Sequence, residues 1–405
     1  MSRNGIQYYG WAVVAAAFTL MFTGFGVVYT FAAFFKAFQT EFGASRAHVS
    51  MVFSLSAFLY FLLGAPAGML ADRYGPRRVA LLGAGALASG LVGASFASSL
   101  SVLYVTYSVG IGIGVGLTYV PSVGAVQPWF MRRRALATGI AVAGIGAGNL
   151  LVPPLAAWWI DLYGWRGAYL VLAGFALVLA GGAAWIIDNN PARREQRTGE
   201  RIGLPPKPAL QKGATLAQAL HAKDFWVLYV SLFLPTVGVF VPMVHLAPYA
   251  TDLGHPEAAG VMLVSLIGLG SLLGRFAVGG LADRIGRLRS TGLMYAGLGV
   301  SFVVWWQSQS LWGLGTASIA MGLFYGGFVA ILPAVVMDIF GGRSVSAIIG
   351  CLYTAAGVGT LIGPPLAGYA FDRLGSYDAP ILGAAALSLL GAAGMLLVDG
   401  NRVQR

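Results

Sequence analysis

Apolar residues along this chain gather in long blocks, each about the length a helix needs to cross ~30 Å of hydrocarbon, with polar residues confined to the gaps between them. Twelve such blocks occur, at approximately 11–35, 48–71, 79–98, 101–126, 135–159, 166–187, 224–247, 258–281, 290–307, 311–337, 345–370 and 378–398. The expected fold class is an all-α membrane protein of twelve transmembrane helices. The first block runs for about 25 residues after a weakly charged start, which is too long for the apolar region of a signal peptide, so it is read as a retained helix.

The pattern is also duplicated. GMLADRYGPRR (Gly68–Arg78) reappears as GGLADRIGRLR (Gly279–Arg289), and PPLAAWWIDLYG (Pro153–Gly164) as PPLAGYAFDRLG (Pro364–Gly375), both at an offset of 211 residues. A single offset for two separate motifs places two six-helix halves in parallel topology. The expected organisation is an N-terminal bundle at 1–187, a linker at 188–223 rich in charge and proline, and a C-terminal bundle at 224–405.

Composition fits this picture, since 58% of the 405 residues are hydrophobic and 10% are charged. A formal net charge of +11 would suit nucleic-acid binding, but the basic residues follow the membrane instead. Of the 25 Lys and Arg, those at Arg3, Arg73, Arg77, Arg78, Arg132 to Arg134, the linker, Arg284, Arg287, Arg289, Arg343, Arg402 and Arg405 all fall on one side. Lys36, Arg46, Arg166 and Arg373 fall on the other. The positive-inside rule then predicts cytoplasmic termini in a plasma or inner cell membrane, with lipid rather than nucleic acid as partner. Cys351, the single cysteine, excludes an intrachain disulfide and a cysteine metal cluster.

One cation fits neither side. Arg275 lies deep inside VMLVSLIGLGSLLGRFAVGG (Val261–Gly280), where a guanidinium costs at least ~2.5–3.5 kcal/mol unless it faces a cavity, a partner or a charged ligand. An anion is the expected ligand.

The paired Gly-x-Leu-Ala-Asp-Arg-x-Gly loops resemble the signature of the major facilitator superfamily, and the resemblance covers the whole chain. It implies that Asp72, Arg73, Asp283 and Arg284 form a conformational latch at the cytoplasmic helix ends. YYGWAVV (Tyr8–Val14) and WFMRRRALATGIAVAGIGAG (Trp129–Gly148) more narrowly resemble the monocarboxylate transporter family. In that family an arginine of the eighth span holds the substrate carboxylate, and Arg275 is the residue that matches it. Arginine suits the task because its planar fork gives two parallel charge-assisted hydrogen bonds and stays protonated. Arg275 precedes Asp283 by eight residues, roughly 12 Å of helix, which puts it near the midplane.

Related dicarboxylate transporters are expected to carry a second cation on the eleventh span, yet Ala347–Phe371 contains neither Lys nor Arg. One fixed positive charge favours a monoanion such as lactate or pyruvate over oxalate or malonate. Two departures from animal members concern coupling: Tyr29 stands where a lysine is expected, and Ser271 where an aspartate is expected. The remaining proton-carrier candidates are His245, toward the outer end of the seventh span or at its water interface, and Asp252 beyond it. Alternatively the proton travels on the substrate. Tyr119, before Pro121, is the first choice for a further ligand contact. Tyr29, Asn149, Tyr325, Phe328 and Tyr353 are further substrate-binding candidates, together with Ser271; Asn149 and Ser271 also suit a role in tying helices together.

Glycine-rich GIGIGVG (Gly110–Gly116) sits inside an apolar span with no preceding strand, so it is read as close helix packing rather than a dinucleotide loop. Absence of GxxxxGK[ST] and HExxH motifs, with four scattered histidines, argues against an enzyme, a metal site and any cofactor. The expectation is a secondary transporter of a small monocarboxylate, coupled to a proton, working by alternating access. The competing expectations are an organic-anion exchanger of the oxalate/formate type, a major facilitator carrier of another small molecule, and a sensor on the same fold. The sequence leaves an ancillary protein open.

Overall fold

The computed structural model describes residues 3–130, 133–188 and 213–398, without the side chains of residues 3–8, 134, 135 and 283. The linker expected at 188–223 falls mostly outside the described residues, as do Arg132, Arg402 and Arg405.

Each apolar block folds as a helix because a bilayer offers no partner for backbone N–H and C=O groups, which the helix satisfies within itself. Helix α1 is Arg3–Tyr29 continued as Phe31–Phe42, α2 is Arg46–Tyr74 and α3 is Pro76–Ser95. Helix α4 starts at Leu100–Leu103, passes through a π-helical turn at Tyr104–Val109 and ends as Gly110–Val126. Arg134–Ile186 is continuous by hydrogen bonding but contains Gly164 at φ 68° and ψ 169°, so it comprises α5 (134–163) and α6 (165–186). Helix α7 is Lys223–Val239 continued as Val241–Asp252, α8 is Glu257–Ile285 and α9 is Arg287–Gln307. Leu311–Phe340 forms α10, Val345–Leu374 forms α11 and Asp378–Gly394 forms α12. The helices extend beyond the apolar blocks by up to several residues, because side-chain caps carry them into the polar gaps: Ser45 accepts from the His48 N–H and Ser310 from the Gly313 N–H.

The duplication is visible in backbone geometry. Gly75 (φ 86°, ψ 144°) and Gly286 (φ 90°, ψ 148°), equivalent under the 211-residue offset, both end one helix and start the next. Their amides donate to the Ala71 and Ala282 carbonyls in the same way. Positive φ at both sites explains why the loop keeps glycine there.

Packing within each half relies on small residues. A methyl group at Gly144 of α5 would lie 2.3 Å from the Phe18 carbonyl oxygen of α1. In the second half, methyls at Gly270 and Gly274 of α8 would each lie 2.0 Å from carbonyl oxygens of α10, those of Ile319 and Leu323. Gly110 to Gly116 are likewise crowded against α2 and α3, as a packing role requires.

The two halves meet where α2 packs on α11 and α5 on α8. Hydrogen bonds between them cluster from the middle of the bundle to the face opposite the chain termini. There Arg46, at the start of α2, binds Asp252, at the end of α7, and its Nη1 also donates to the Tyr377 hydroxyl at 2.8 Å. The Asp372 carboxylate accepts from the Arg46 and Ala47 amides at 3.1 and 3.0 Å, so an anion sits on the positive N-terminus of α2. Lys36 pairs with Glu257 at 3.1 Å on the same face. On the face that carries the termini Asp72, Arg73 and Arg284 are exposed, and Arg73 rests over the Tyr74 ring. The Asp283 side chain lies outside the described residues.

Candidate functional site

Between the halves, near the middle of the bundle, lies a cavity with about 490 Å³ of space free of atoms, its mouth included. The first half contributes Phe25 from α1, Phe61 from α2, Tyr119 from α4 and Ile145 from α5. The second contributes Leu232, Thr236 and Phe240 from α7, Arg275 from α8, Tyr325, Phe328, Val329 and Leu332 from α10, and Tyr353 and Ala356 from α11.

Local helix geometry explains the direction of Arg275. Gly270 and Gly274, four residues apart, form the stripe that touches the α10 backbone. Their successors Ser271 and Arg275 stand ~100° further round the helix, one turn above the other. Ser271 accepts a long hydrogen bond from Arg275 Nε at 3.4 Å, and this contact anchors the near side of the guanidinium. Nη1 and Nη2 at its far side are buried and have no hydrogen-bond partner. A buried guanidinium without acceptors is strongly unfavourable.

Phenols surround the cation: Tyr29 and Tyr325 hydroxyls stand 3.3 Å apart across the halves, and Tyr119 and Tyr353, one from each half, line the same cavity. Tyr29, Tyr325 and Tyr353 all lie within electrostatic reach of Arg275. Phe25 packs edge-on against Tyr119 at 5.4 Å and Tyr60 at 5.6 Å, and the buried Tyr60 hydroxyl has no partner.

Arg275, Tyr119, Tyr325, Phe328 and Tyr353, all singled out from sequence, stand together on the cavity wall. Tyr29 stands behind Tyr325, and Ser271 reaches the site through Arg275. Asn149 is elsewhere: its amide lies 3.8 Å from the Met243 sulfur and its carbonyl oxygen is buried without a partner. His245 is fully buried beneath the Arg46 and Asp252 pair rather than at a water interface. Its Nδ1 is 2.9 Å from the Tyr377 hydroxyl, and its Nε2 is 2.8 Å from the Pro364 carbonyl oxygen and 3.0 Å from Ser50 Oγ. Asp252 is held by Arg46. Phe25, Phe61, Thr236 and Phe240 were not singled out in the sequence, where aromatics within apolar helices are indistinguishable from core. Arg46 was counted there only as a loop charge. Among the described residues no three His, Cys, Asp or Glu gather as a metal site would require.

The Major Facilitator Superfamily matches residues 14–316 and 236–404. Monocarboxylate transporter 12-B of Danio rerio is 33% identical over 398 residues, spanning 92% of this chain and 83% of the relative. Monocarboxylate transporter 13 of Bos taurus is 30% identical, spanning 95% and 88%, and human monocarboxylate transporter 11 is 31% identical, spanning 95% and 82%. Among solved structures, an inward-facing, unoccupied bacterial homologue of the human lysosomal transporter Spinster superposes with a TM-score of 0.70 at 16% identity, covering 96% of this chain and 95% of its own. That likeness concerns the fold. With a family match across nearly all of its length and relatives above 30% identity over most of theirs, the chain belongs to the monocarboxylate transporter family of the major facilitator superfamily, and is a multi-pass membrane transporter rather than an enzyme.

Proposed function

We propose that this chain carries small monocarboxylates of the lactate and pyruvate type by proton symport, through alternating access to the Arg275 cavity. The observation that carries the reading is the pair of buried, unpartnered Nη atoms in a cavity built by both halves. A carboxylate presents two oxygens to such a fork. The names of the relatives agree with an organic acid, and the single cation on the wall suits one carboxylate better than two.

Arginine distribution supports cytoplasmic termini, in which case the face closed by Arg46 and Asp252 is external and the arrangement is inward-facing. Asp72, Arg73, Asp283 and Arg284 would then engage when the transporter turns outward. His245, bonded to both halves at the closed face, is the proton-carrier candidate best placed to couple protonation to opening. Asp252 is the weaker candidate because both of its oxygens are already engaged by Arg46.

The test is uptake of labelled L-lactate and pyruvate into proteoliposomes under an inward proton gradient, with and without protonophore, and with oxalate in parallel. Gradient-driven uptake that protonophore abolishes supports symport. Uptake only against preloaded anion, or of oxalate alone, would establish the exchanger instead.

A further inference from the structure

The hydrogen bond between Tyr29 and Tyr325 joins the two halves beside the Arg275 cavity. Both side chains are buried, at 0% and 8% exposure, so the bond is shielded from water. Only Tyr325 belongs to the cavity wall; Tyr29 approaches it from the first half. Each phenol can donate or accept, and at 3.3 Å either oxygen can be the donor. Left to themselves, two such groups have no fixed direction of donation.

Backbone packing ties Tyr325 to the cation. A methyl at Gly322 of α10 would lie 2.0 Å from the Ile267 carbonyl oxygen of α8, and one at Gly326 would lie 2.2 Å from that of Ser271. Tyr325 stands between these two contacts, and Arg275 follows Ser271 by one turn. The phenol and the guanidinium thus belong to one closely packed pair of helices. Tyr325 is also within electrostatic reach of Arg275.

Tyr29 leads elsewhere. It ends the inner piece of α1, and the next amide, that of Thr30, is shared between the Gly26 and Val27 carbonyls at 3.2 Å each. The outer piece, Phe31–Phe42, carries Phe35, whose ring lies edge-on to His245 of α7 at 5.5 Å.

Resting on the monocarboxylate reading above, we infer that Tyr325 donates to the carboxylate bound at Arg275 and so obliges Tyr29 to donate to Tyr325, linking substrate occupancy to the join of α1 in the opposite half. Both phenols keep their protons; only the direction of donation is fixed. Tyr29 is a positioning residue, since it acts on the ligand through Tyr325. Each bond of the chain polarises the next, so an occupied site holds the halves together at this level more firmly than an empty one.

A double-mutant cycle on L-lactate and pyruvate binding to the purified full chain, measured by calorimetry in one detergent, tests this. Arg275→Ala serves as the control for the site, and thermal unfolding of each variant verifies folding. Tyr325→Phe is expected to weaken binding about tenfold or more, as loss of a hydrogen bond to a charged group does. Tyr29→Phe should weaken it about two- to tenfold, although Tyr29 does not touch the ligand. The double variant should bind as Tyr325→Phe alone does, because Tyr29 acts only through that hydroxyl. Wild-type affinity in Tyr29→Phe, or additive losses in the double variant, would overturn the relay while leaving the monocarboxylate reading standing. Absence of Arg275-dependent binding of either acid would overturn both together.

Discussion

Arg46 grips Asp252 with both arms of its guanidinium, Nη1 to Oδ2 at 2.6 Å and Nη2 to Oδ1 at 2.8 Å, joining the first turn of α2 to the last turn of α7. The same guanidinium lies 3.7 Å from the centre of the Phe371 ring, and its own helix N-terminus is capped by Asp372. One side chain thus ties three elements of the second half to the first. Exposed pairs contribute little, but this one is bidentate and only 12% of the arginine side chain is exposed.

Arg46→Ala is expected to weaken closure of that face by roughly 1–2 kcal/mol, a five- to thirty-fold change in the balance between open and closed forms. Spin labels at Thr40 and Leu253, in a Cys351→Ser background, report the separation of the two halves there. Longer distances should gain population in the variant. An unchanged distance distribution would mean that the pair is not holding the face shut.

Arg275→Ala should abolish uptake while the chain stays folded, since removal relieves a buried unpaired charge and breaks only the long hydrogen bond to Ser271. Arg275→Lys keeps the charge but replaces a two-pronged fork with a point donor, so uptake should fall at least tenfold. Ser271→Ala removes only the long 3.4 Å bond to Nε and should raise KM a few-fold with little change in maximal rate. Wild-type uptake by Arg275→Ala would remove this residue from the mechanism.

Gly274 and Gly181 should respond oppositely to the same substitution. A methyl at Gly274 would meet the Leu323 carbonyl oxygen at 2.0 Å, whereas one at Gly181 meets nothing within 4 Å. Gly274→Ala is expected to cost about 1–3 kcal/mol through overpacking and to push α8, with Arg275, off its position. Gly181→Ala should be neutral or stabilising by up to about 1 kcal/mol through helix propensity. Thermal unfolding in detergent separates the two, and equal melting temperatures would contradict the close approach of α8 and α10.

Hydrophobic periodicity disclosed the spans because membrane helices are selected by composition over long windows, and the duplicated loops disclosed the parallel halves. Arg275 stood out for the same reason: a charge within an apolar run is conspicuous. Phe61 and Phe240 did not, since an aromatic residue reads the same whether it lines a cavity or fills a core. The join of α7 at Phe240 is signalled by Pro242, but the matching join of α1 at Thr30 has no proline to mark it. Nor does spacing reveal Arg46 with Asp252, or His245 with Ser50, because such pairs form only once the halves are docked in one particular conformation.

His245, buried between the halves, is where the proposed coupling predicts that protonation and conformation meet. With its proton on Nε2, the neutral ring donates to the Pro364 carbonyl, with Ser50 Oγ beside it, and Nδ1 accepts from the Tyr377 hydroxyl, which itself accepts from Arg46. This assignment follows from the partners, as hydrogen positions must. Adding a proton to Nδ1 removes the acceptor that Tyr377 needs and places a second positive charge near Arg46, with Asp252 and Asp372 the anions nearby. Acid therefore opposes the closed arrangement, and the labelled pair at Thr40 and Leu253 should shift toward longer distances between pH 8 and pH 5. His245→Gln retains hydrogen-bonding capacity but cannot titrate, so that shift should vanish. In proteoliposomes the same variant is expected to lose proton-driven accumulation while still exchanging labelled acid against preloaded acid, because the Arg275 cavity is untouched. Full accumulation by His245→Gln would show that the proton travels elsewhere, on the substrate itself.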